Sequence, residues 1–302
     1  MLPRPIRPLS TYLLTRRCVE RLFLLRPSTE TNNIVKYCLA TAATKTGVEV
    51  HVFCAMSNHH HCILTDIEGR LPEFMQLFHR HLAVALNTLH KRSGNLWSGE
   101  QTSLVELGDK NDVLEKMAYV LCNPTTAGLV HSPQNWPGVI SHRLGEEFQV
   151  SRPRQYFKSS GTMPEQAGLT FSLPPQLKEM GMREANQQLF ARLAHKVEIA
   201  RSKVQEKNHV FLGVKGVLKT SIHQSPLRET RRCSRTPRFS IRNPSKFKEA
   251  VERWRSFLLA YIDALASWKA GNRMITFPDG TWLMKHSHNA ACAPPPGRVA
   301  PQ

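Results

Sequence analysis

Apolar and polar positions recur regularly enough to divide the first half of the chain into elements. Residues 11–26 (TYLLTRRCVERLFLLR) alternate and run apolar, which predicts one strand or a hairpin. Over 31–46, Ile34, Cys38, Leu39 and Ala42 fall at helical spacing, and Gly47 stops the helix. Residues 48–55 (VEVHVFCA) are β-branched and alternating, as a strand should be. Met56, Ser57 and Asn58 make a turn into a second strand at 59–65, so that the two strands pair as a hairpin. Residues 72–92 begin on Pro72 and carry Phe74, Leu77, Leu82, Ala85, Leu86 and Leu89, a long amphipathic helix broken by Ser93-Gly94. A strand follows at 102–107, then a helix at 112–122 with an acidic start, halted at Asn123-Pro124. The order β-α-β-β-α-β, followed by a helix, predicts an α+β fold of the ferredoxin-like, split βαβ kind. That pattern implies no function by itself.

The second half is patterned differently. Residues 148–176 are rich in Pro, Ser and Gly and read as a linker. Residues 177–207 read as a helix with Ala185, Leu189, Leu193 and Val197 on one stripe. The segment 225–246 carries seven basic residues against the single acid Glu229 and predicts a flexible basic arm. Residues 246–270 give the clearest helical period of the chain: Phe247, Val251, Trp254, Leu258, Tyr261, Leu265 and Trp268 share a face, and Gly271 caps the end. ITFPDGTWL (275–283) reads as a hairpin closed by Pro278-Asp279-Gly280, and the Ala/Pro-rich tail from Asn289 as disordered. The expected organisation is a catalytic domain at 1–147, a linker at 148–176, a basic and mainly helical C-terminal region at 177–288 that binds DNA, and a tail at 289–302.

Charge sharpens this division. Residues 1–150 hold 15 Lys and Arg against 13 Asp and Glu; residues 151–302 hold 26 against 10. Nearly the whole excess of +18 therefore lies in the second half. Such a field attracts polyanions, of which nucleic acid is the usual one for a soluble protein. No apolar run approaches the roughly 18 to 20 residues of a membrane span, and the run at Tyr12–Leu14 is too short for a signal peptide. The expectation is a cytoplasmic, nucleoid-associated protein with no membrane partner. Seven cysteines with no C-x-x-C pair argue against a disulfide framework or a zinc ribbon and leave reduced, mostly buried thiols.

The candidate chemistry is concentrated at Asn58-His59-His60-His61. Side chains alternate across a strand, so His59 and His61 share a face and can chelate one ion, while His60 points to the opposite face, where a hydrophobe is expected. A bare H-x-H also fits three ordinary histidines at a turn. His79 and His81, by contrast, lie two apart in a helix and cannot chelate together; they flank the packed face or reach DNA. Tyr119 and Asn123 stand four apart in a predicted helix and project together. A half-buried tyrosine with its hydroxyl at the surface is the commoner meaning of such a residue.

Taken jointly, three segments carry a resemblance. HVFCAMSNHHHCIL resembles the strand-turn-strand of HUH single-tyrosine transposases, YVLCNPTTAGLV is similar to the tyrosine helix of the REP-associated tyrosine transposases, and RSGNLWSGE is similar to the segment that lies between them in that family. The matches run in family order over residues 10–142. The resemblance implies that His59 and His61 bind a divalent metal, Mg²⁺ or Mn²⁺, that Tyr119 attacks a DNA phosphate, and that Asn123 completes or orients the metal shell. It implies a single-stranded, hairpin-containing DNA partner and transposition through a 5′-phosphotyrosine. Ser57, His60, Gln101 and Thr126 depart from the family pattern, which has Pro, a hydrophobe, an aromatic and Arg there. Candidate DNA contacts are Arg16, Arg17, Arg228, Arg231, Arg232, Arg235, Arg238 and Arg242. A domesticated hairpin-processing nuclease and an inactive DNA-binding regulator stay open as alternatives, as do a monomer and a homodimer.

If the arm grips DNA backbone, converting its six arginines to Gln should flatten the salt dependence of single-strand binding, by roughly 0.7 in the log–log slope for each phosphate no longer neutralised. An unchanged slope across a salt series would mean that the arm serves another partner.

Overall fold

Four antiparallel strands form the centre of the protein in the order β2-β3-β1-β4, as the split βαβ pattern requires. The computed structural model describes residue 3 and residues 5–155, 161–226 and 238–294. The elements are β1 (Ser10–Arg17), α1 (Thr29–Thr46), β2 (Glu49–Met56), β3 (His59–Asp66), α2 (Leu71–Leu89), β4 (Ser103–Leu107) and α3 (Lys110–Thr126). They continue with β5 (Glu147–Ser151), β6 (Gln166–Thr170), α4 (Gly181–Glu206), α5 (Gly213–Lys219), β7 (Phe239–Ser240), α6 (Pro244–Lys269) and α7 (Trp282–His288).

Local chemistry sets the boundaries. Ser28 accepts the Thr31 N–H at 3.1 Å to start α1, and Gly47 ends it in the left-handed region at φ +68°. The Asp66 carboxylate gathers the N–H groups of Gly69, Arg70 and Leu71 at 2.8–2.9 Å and so nucleates α2. Asp109 and Asp112 close a reciprocal capping box at the start of α3.

Strand alternation then sorts the sheet into two faces. Tyr12, Leu14, Phe53, Ala55, Cys62 and Leu64 pack under α1 and α2; Leu13, Val52, Cys54, Met56, Ile63 and Val105 pack under α3 and α4. Ala185, Leu189, Leu193 and Val197 of α4 are buried, as their spacing predicts, in the same core as α3.

Several elements differ from the sequence reading. The run at 11–26 is a single strand to Arg17 followed by a helical turn at Val19–Arg21, with no hairpin. Pro124 does not halt α3, which continues to Thr126; in the last turn a proline removes one hydrogen bond and the chain absorbs it. The 148–176 segment, expected as a linker, carries β5 and β6 as a hairpin whose Ala167 packs on Tyr37 and Ala40 of α1. The turn at Pro278–Thr281 exists, but α7 follows it instead of a strand. Trp282 and His286 stack at 4.7 Å, a contact that only helical i,i+4 spacing allows, and Met284 seals a small cluster with Phe277 and Ala264. Residues 291 and 293 of the expected tail pair with Phe277, and Ala290 is buried. On α6 the fully buried stripe is Ala250, Phe257 and Ala264, with Phe247 largely exposed. Half of the basic arm, including Arg228, Arg231, Arg232 and Arg235, lies outside the described residues.

Two buried histidines tie the fold to pH. His51 bonds the Ser172 carbonyl at 2.9 Å and the Thr65 hydroxyl at 2.7 Å, and burial lowers its pKa from 6.5 to about 4. Burial, with the charge of Arg16, lowers His79 to about 3. The unfolded chain takes up these protons near 6.5 and the folded chain only near 4 and 3. Stability is therefore fully present above about 6.5 and falls as pH is lowered through that window, by about 1.4 kcal/mol per unit for each group. Urea unfolding between pH 7 and 4.5 should report this fall, and His51→Gln should make it shallower; equal slopes would place the protons elsewhere.

Candidate active site

The β2–β3 hairpin closes through Ser57 and Asn58, pairing Met56 with His59, and this register fixes the direction of all three histidines. His59 and His61 leave β3 on the α3 side, in line with the buried Ile63; His60 leaves on the α2 side. The two outer imidazoles converge, with Nε2 of His59 3.1 Å from Nε2 of His61.

Their outer nitrogens are held by fixed partners. His59 Nδ1 donates to Asn58 Oδ1 at 2.6 Å, which leaves its Nε2 as a lone pair. His61 Nδ1 lies 2.8 Å from the Thr15 hydroxyl, which can accept from it or donate to it. Without a third atom, His61 Nε2–H donates to His59 Nε2; with a cation between them, Thr15 accepts from Nδ1 and both Nε2 atoms face inward. Burial, helped at His59 by Arg17 and at His61 by His59, lowers both pKa values, His59 to about 4. Both rings are thus neutral at physiological pH, the form that binds metals. A cation about 2.1 Å from two nitrogens at a right angle sets them about 3 Å apart, so the pair fits a divalent ion. Among the described residues no group of three or more His, Cys, Asp and Glu could hold a metal ion.

Tyr119 of α3 comes to the same place. Its ring lies 5.7 Å from the His61 ring, edge to face, and the residue is 43% exposed. The Lys116 ammonium, one turn earlier, sits 5.6 Å from the centre of the Tyr119 ring. Burial, with the like charges of Lys196 and Arg242, lowers the Lys116 pKa. Asn123 shares the helix face, but its amide Nδ2 donates to the Tyr119 carbonyl at 2.9 Å.

The arginines divide. Arg17 is exposed and lies opposite His59 in the sheet register. Arg16 is half-buried and bonds the Thr102 hydroxyl and, at 3.4 Å, the Ser98 carbonyl, tying β1 to the loop before β4. Arg238 covers the Trp254 ring at 4.4 Å, and Arg242 reaches Glu115 at 3.3 Å.

His60 occupies the place where a hydrophobe is expected and does so as half of a buried pair. Its Nε2 lies 3.0 Å from Nε2 of His79, and Phe53, Phe78 and Trp97 surround the ring. Trp97 Nε1 donates to the His79 carbonyl at 2.9 Å, so the Gly-x-Leu-Trp segment locks α2 beneath the hairpin. His60 Nδ1 has no hydrogen-bond partner among the described residues. Sequence reasoning does not reach Thr15 or the His60–His79 pair, and it includes Asn58 in the motif without a role. Thr15 and the His60–His79 pair depend on long-range register.

No family model matches the sequence, and no curated protein does. Several solved structures are similar to the chain. One is a REP-associated tyrosine transposase bound to a REP hairpin, with 19% identity, covering 46% of this chain and 80% of the other, at a TM-score of 0.36. Another is a Deinococcus radiodurans protein assigned as a transposase, with 18% identity, covering 35% of this chain and 85% of the other, at a TM-score of 0.29. Likeness at that level carries no weight for the site, which stands on its geometry.

The buried pair gives a direct test of the hairpin packing. His60→Leu alone strands the His79 nitrogen and should cost about 1–3 kcal/mol in urea unfolding, while His60→Leu with His79→Leu removes both polar partners and should recover most of the loss. A double variant no more stable than the single one would show that the two rings do not depend on each other.

Proposed function

We propose that this protein cuts and rejoins single-stranded DNA as a transposase-type strand transferase, with Tyr119 as nucleophile and His59 and His61 as metal ligands. One observation carries the reading: two neutral imidazoles share a donor position, and an exposed tyrosine ring from another element stands against one of them. An ion held there, with Asn123 Oδ1 or substrate oxygens completing the shell, would polarise a non-bridging phosphate oxygen and orient the scissile bond.

The chain's own residues supply the rest. Tyr119 Oη attacks phosphorus in line, loses its proton, and forms a phosphotyrosyl bond as the P–O3′ bond breaks. The departing oxygen takes up a proton as a free 3′-hydroxyl, and the 5′-phosphate stays on the enzyme. A 3′-hydroxyl from another end can reverse the exchange, so no nucleotide cofactor is needed to reseal the strand. Lys116, over the Tyr119 ring, supplies positive charge beside the phenolate that forms during attack. Asn58 and Thr15 keep the imidazoles aimed while the substrate changes.

The test is covalent capture. Incubated with Mn²⁺ and a hairpin-bearing single strand, the protein should form a denaturation-resistant DNA adduct. Tyr119→Phe should abolish the adduct and leave DNA affinity within about twofold, since it removes one exposed hydroxyl. An adduct that persists in Tyr119→Phe assigns the nucleophile elsewhere.

A further inference from the structure

A cleft of about 360 Å³ opens directly beside the histidine pair, with His59 in its wall. It is lined by Arg17 at the end of β1, by Arg21 in the helical turn that follows and by Phe23 just after it. Leu129, just after α3, and Leu212 and Val217, at the start and within α5, line it as well. The lining thus combines one aromatic ring and several aliphatic side chains with two guanidinium groups. The volume falls at the lower end of the range for small-molecule sites, about 300–1,000 Å³.

Hydrogen bonds hold the walls in place. The N–H groups of Leu212 and Gly213 donate to the Gly128 and Leu129 carbonyls at 3.1 and 2.9 Å, fixing α5 to the end of α3. Phe23 N–H donates to the Gln224 carbonyl at 2.9 Å, and Arg26 reaches the Leu218 and Thr220 carbonyls. The turn that presents Arg21 and Phe23 is strained: Glu20 and Arg21 are consecutive non-glycine residues at φ +49° and +58°. Strain of this kind persists only where surrounding contacts over-determine it, and it concentrates at binding sites. Asn58 Nδ2 donates to the Arg21 carbonyl at 3.1 Å, so the residue that aims His59 also holds the strained turn.

We infer that this cleft takes one unstacked nucleotide of the single strand, its base against Phe23 and the apolar wall and its phosphates on Arg17 and Arg21. The occupant follows from the lining. An aromatic face with aliphatic neighbours suits a base of any sequence, and the guanidinium groups in the same lining suit the backbone that continues toward His59. A duplex offers no free base to such a slot, so the cleft selects single-stranded or splayed DNA. It rests on the reading of His59, His61 and Tyr119 as a DNA-cutting centre and adds what that centre grips. It also gives the chain beyond residue 206 a defined part in substrate binding, because α5 and Pro226 complete the enclosure.

The experiment measures binding without turnover, in the full-length Tyr119→Phe protein with EDTA. Fluorescence anisotropy compares a labelled oligothymidylate with the same backbone made abasic throughout. The base-bearing strand should bind more tightly, and Phe23→Ala should reduce that preference about tenfold, the loss expected from one base–aromatic stack. Ala127→Leu places a larger side chain at the exposed end of α3, where it borders the cleft, without touching the core, and should reduce the preference as well. Arg17→Gln should weaken both strands equally and lower the salt slope by roughly 0.7. A preference unchanged in both Phe23→Ala and Ala127→Leu overturns the inference, even in a protein that forms the Tyr119 adduct. A preference lost in both, with no adduct from the protein carrying Tyr119, upholds the cleft and overturns the catalytic reading instead. Thymidine monophosphate as competitor should displace the strand only weakly; displacement equal to that by unlabelled strand would assign the cleft to a free nucleotide and overturn its role with DNA.

Discussion

One side-chain amide, that of Asn58, holds the site together. Its oxygen accepts from His59 Nδ1 at 2.6 Å, its nitrogen donates to the Arg21 carbonyl at 3.1 Å, and its own backbone carbonyl accepts from the Cys18 N–H at 2.8 Å. Only one orientation of the amide satisfies both side-chain bonds, so the residue is set without ambiguity. It sits where the β2–β3 turn meets the end of β1, and it transmits the register of the sheet to a ring nitrogen. Aspartate would keep the acceptor and lose the donor, releasing the strained turn. A hydrophobe would free the imidazole to rotate.

The C-terminal half attaches to this core by burial more than by charge, although charge is its most visible property. Lys196, Arg192 and Arg242 converge on Glu115, and Arg253 meets Glu106 at 2.7 Å. These pairs are partly solvated, and such pairs contribute about 0–1 kcal/mol each. Leu189, Leu193 and Val197 of α4, buried against α3, contribute roughly 1.5–3 kcal/mol apiece. The apolar stripe therefore decides that α4 docks, and the ion pairs decide its rotation.

Period and chemistry make the first half of the fold legible in the sequence. Gly47, Pro72 and the alternation of 48–55 mark real boundaries, and the H-x-H spacing directs two rings to one face because strand geometry leaves no alternative. Register is not legible. Thr15 faces His61 only because β1 pairs with β3 in one particular alignment, and nothing local to either strand encodes it. His60 and His79 belong to separate elements, and their pairing requires knowing that α2 crosses beneath the hairpin. The β5–β6 hairpin is hidden by its Pro, Ser and Gly content, since only one face of it, through Ala167 and Phe148, touches anything apolar. At 275–283, apolar residues either side of Pro278-Asp279-Gly280 suggest a hairpin, but the chain after the turn is the helix α7, in which Trp282 stacks on His286.

The two edges of the sheet are both covered, and by segments far apart in the chain. Along β4 lies β7, two residues paired in parallel at Phe239 and Ser240. Along β2, the backbone of Val139, Ser141 and Ser172 takes up the hydrogen bonds of Val50, Phe53 and Ala55. An open edge is a template on which another chain can add a strand. The late segments therefore also act as guards against self-association. A shortened form ending after α3 would keep every residue of the histidine–tyrosine centre and yet present two bare rows of N–H and C=O groups. Its failure in solution would then come from those bare edges, with His59, His61 and Tyr119 still present.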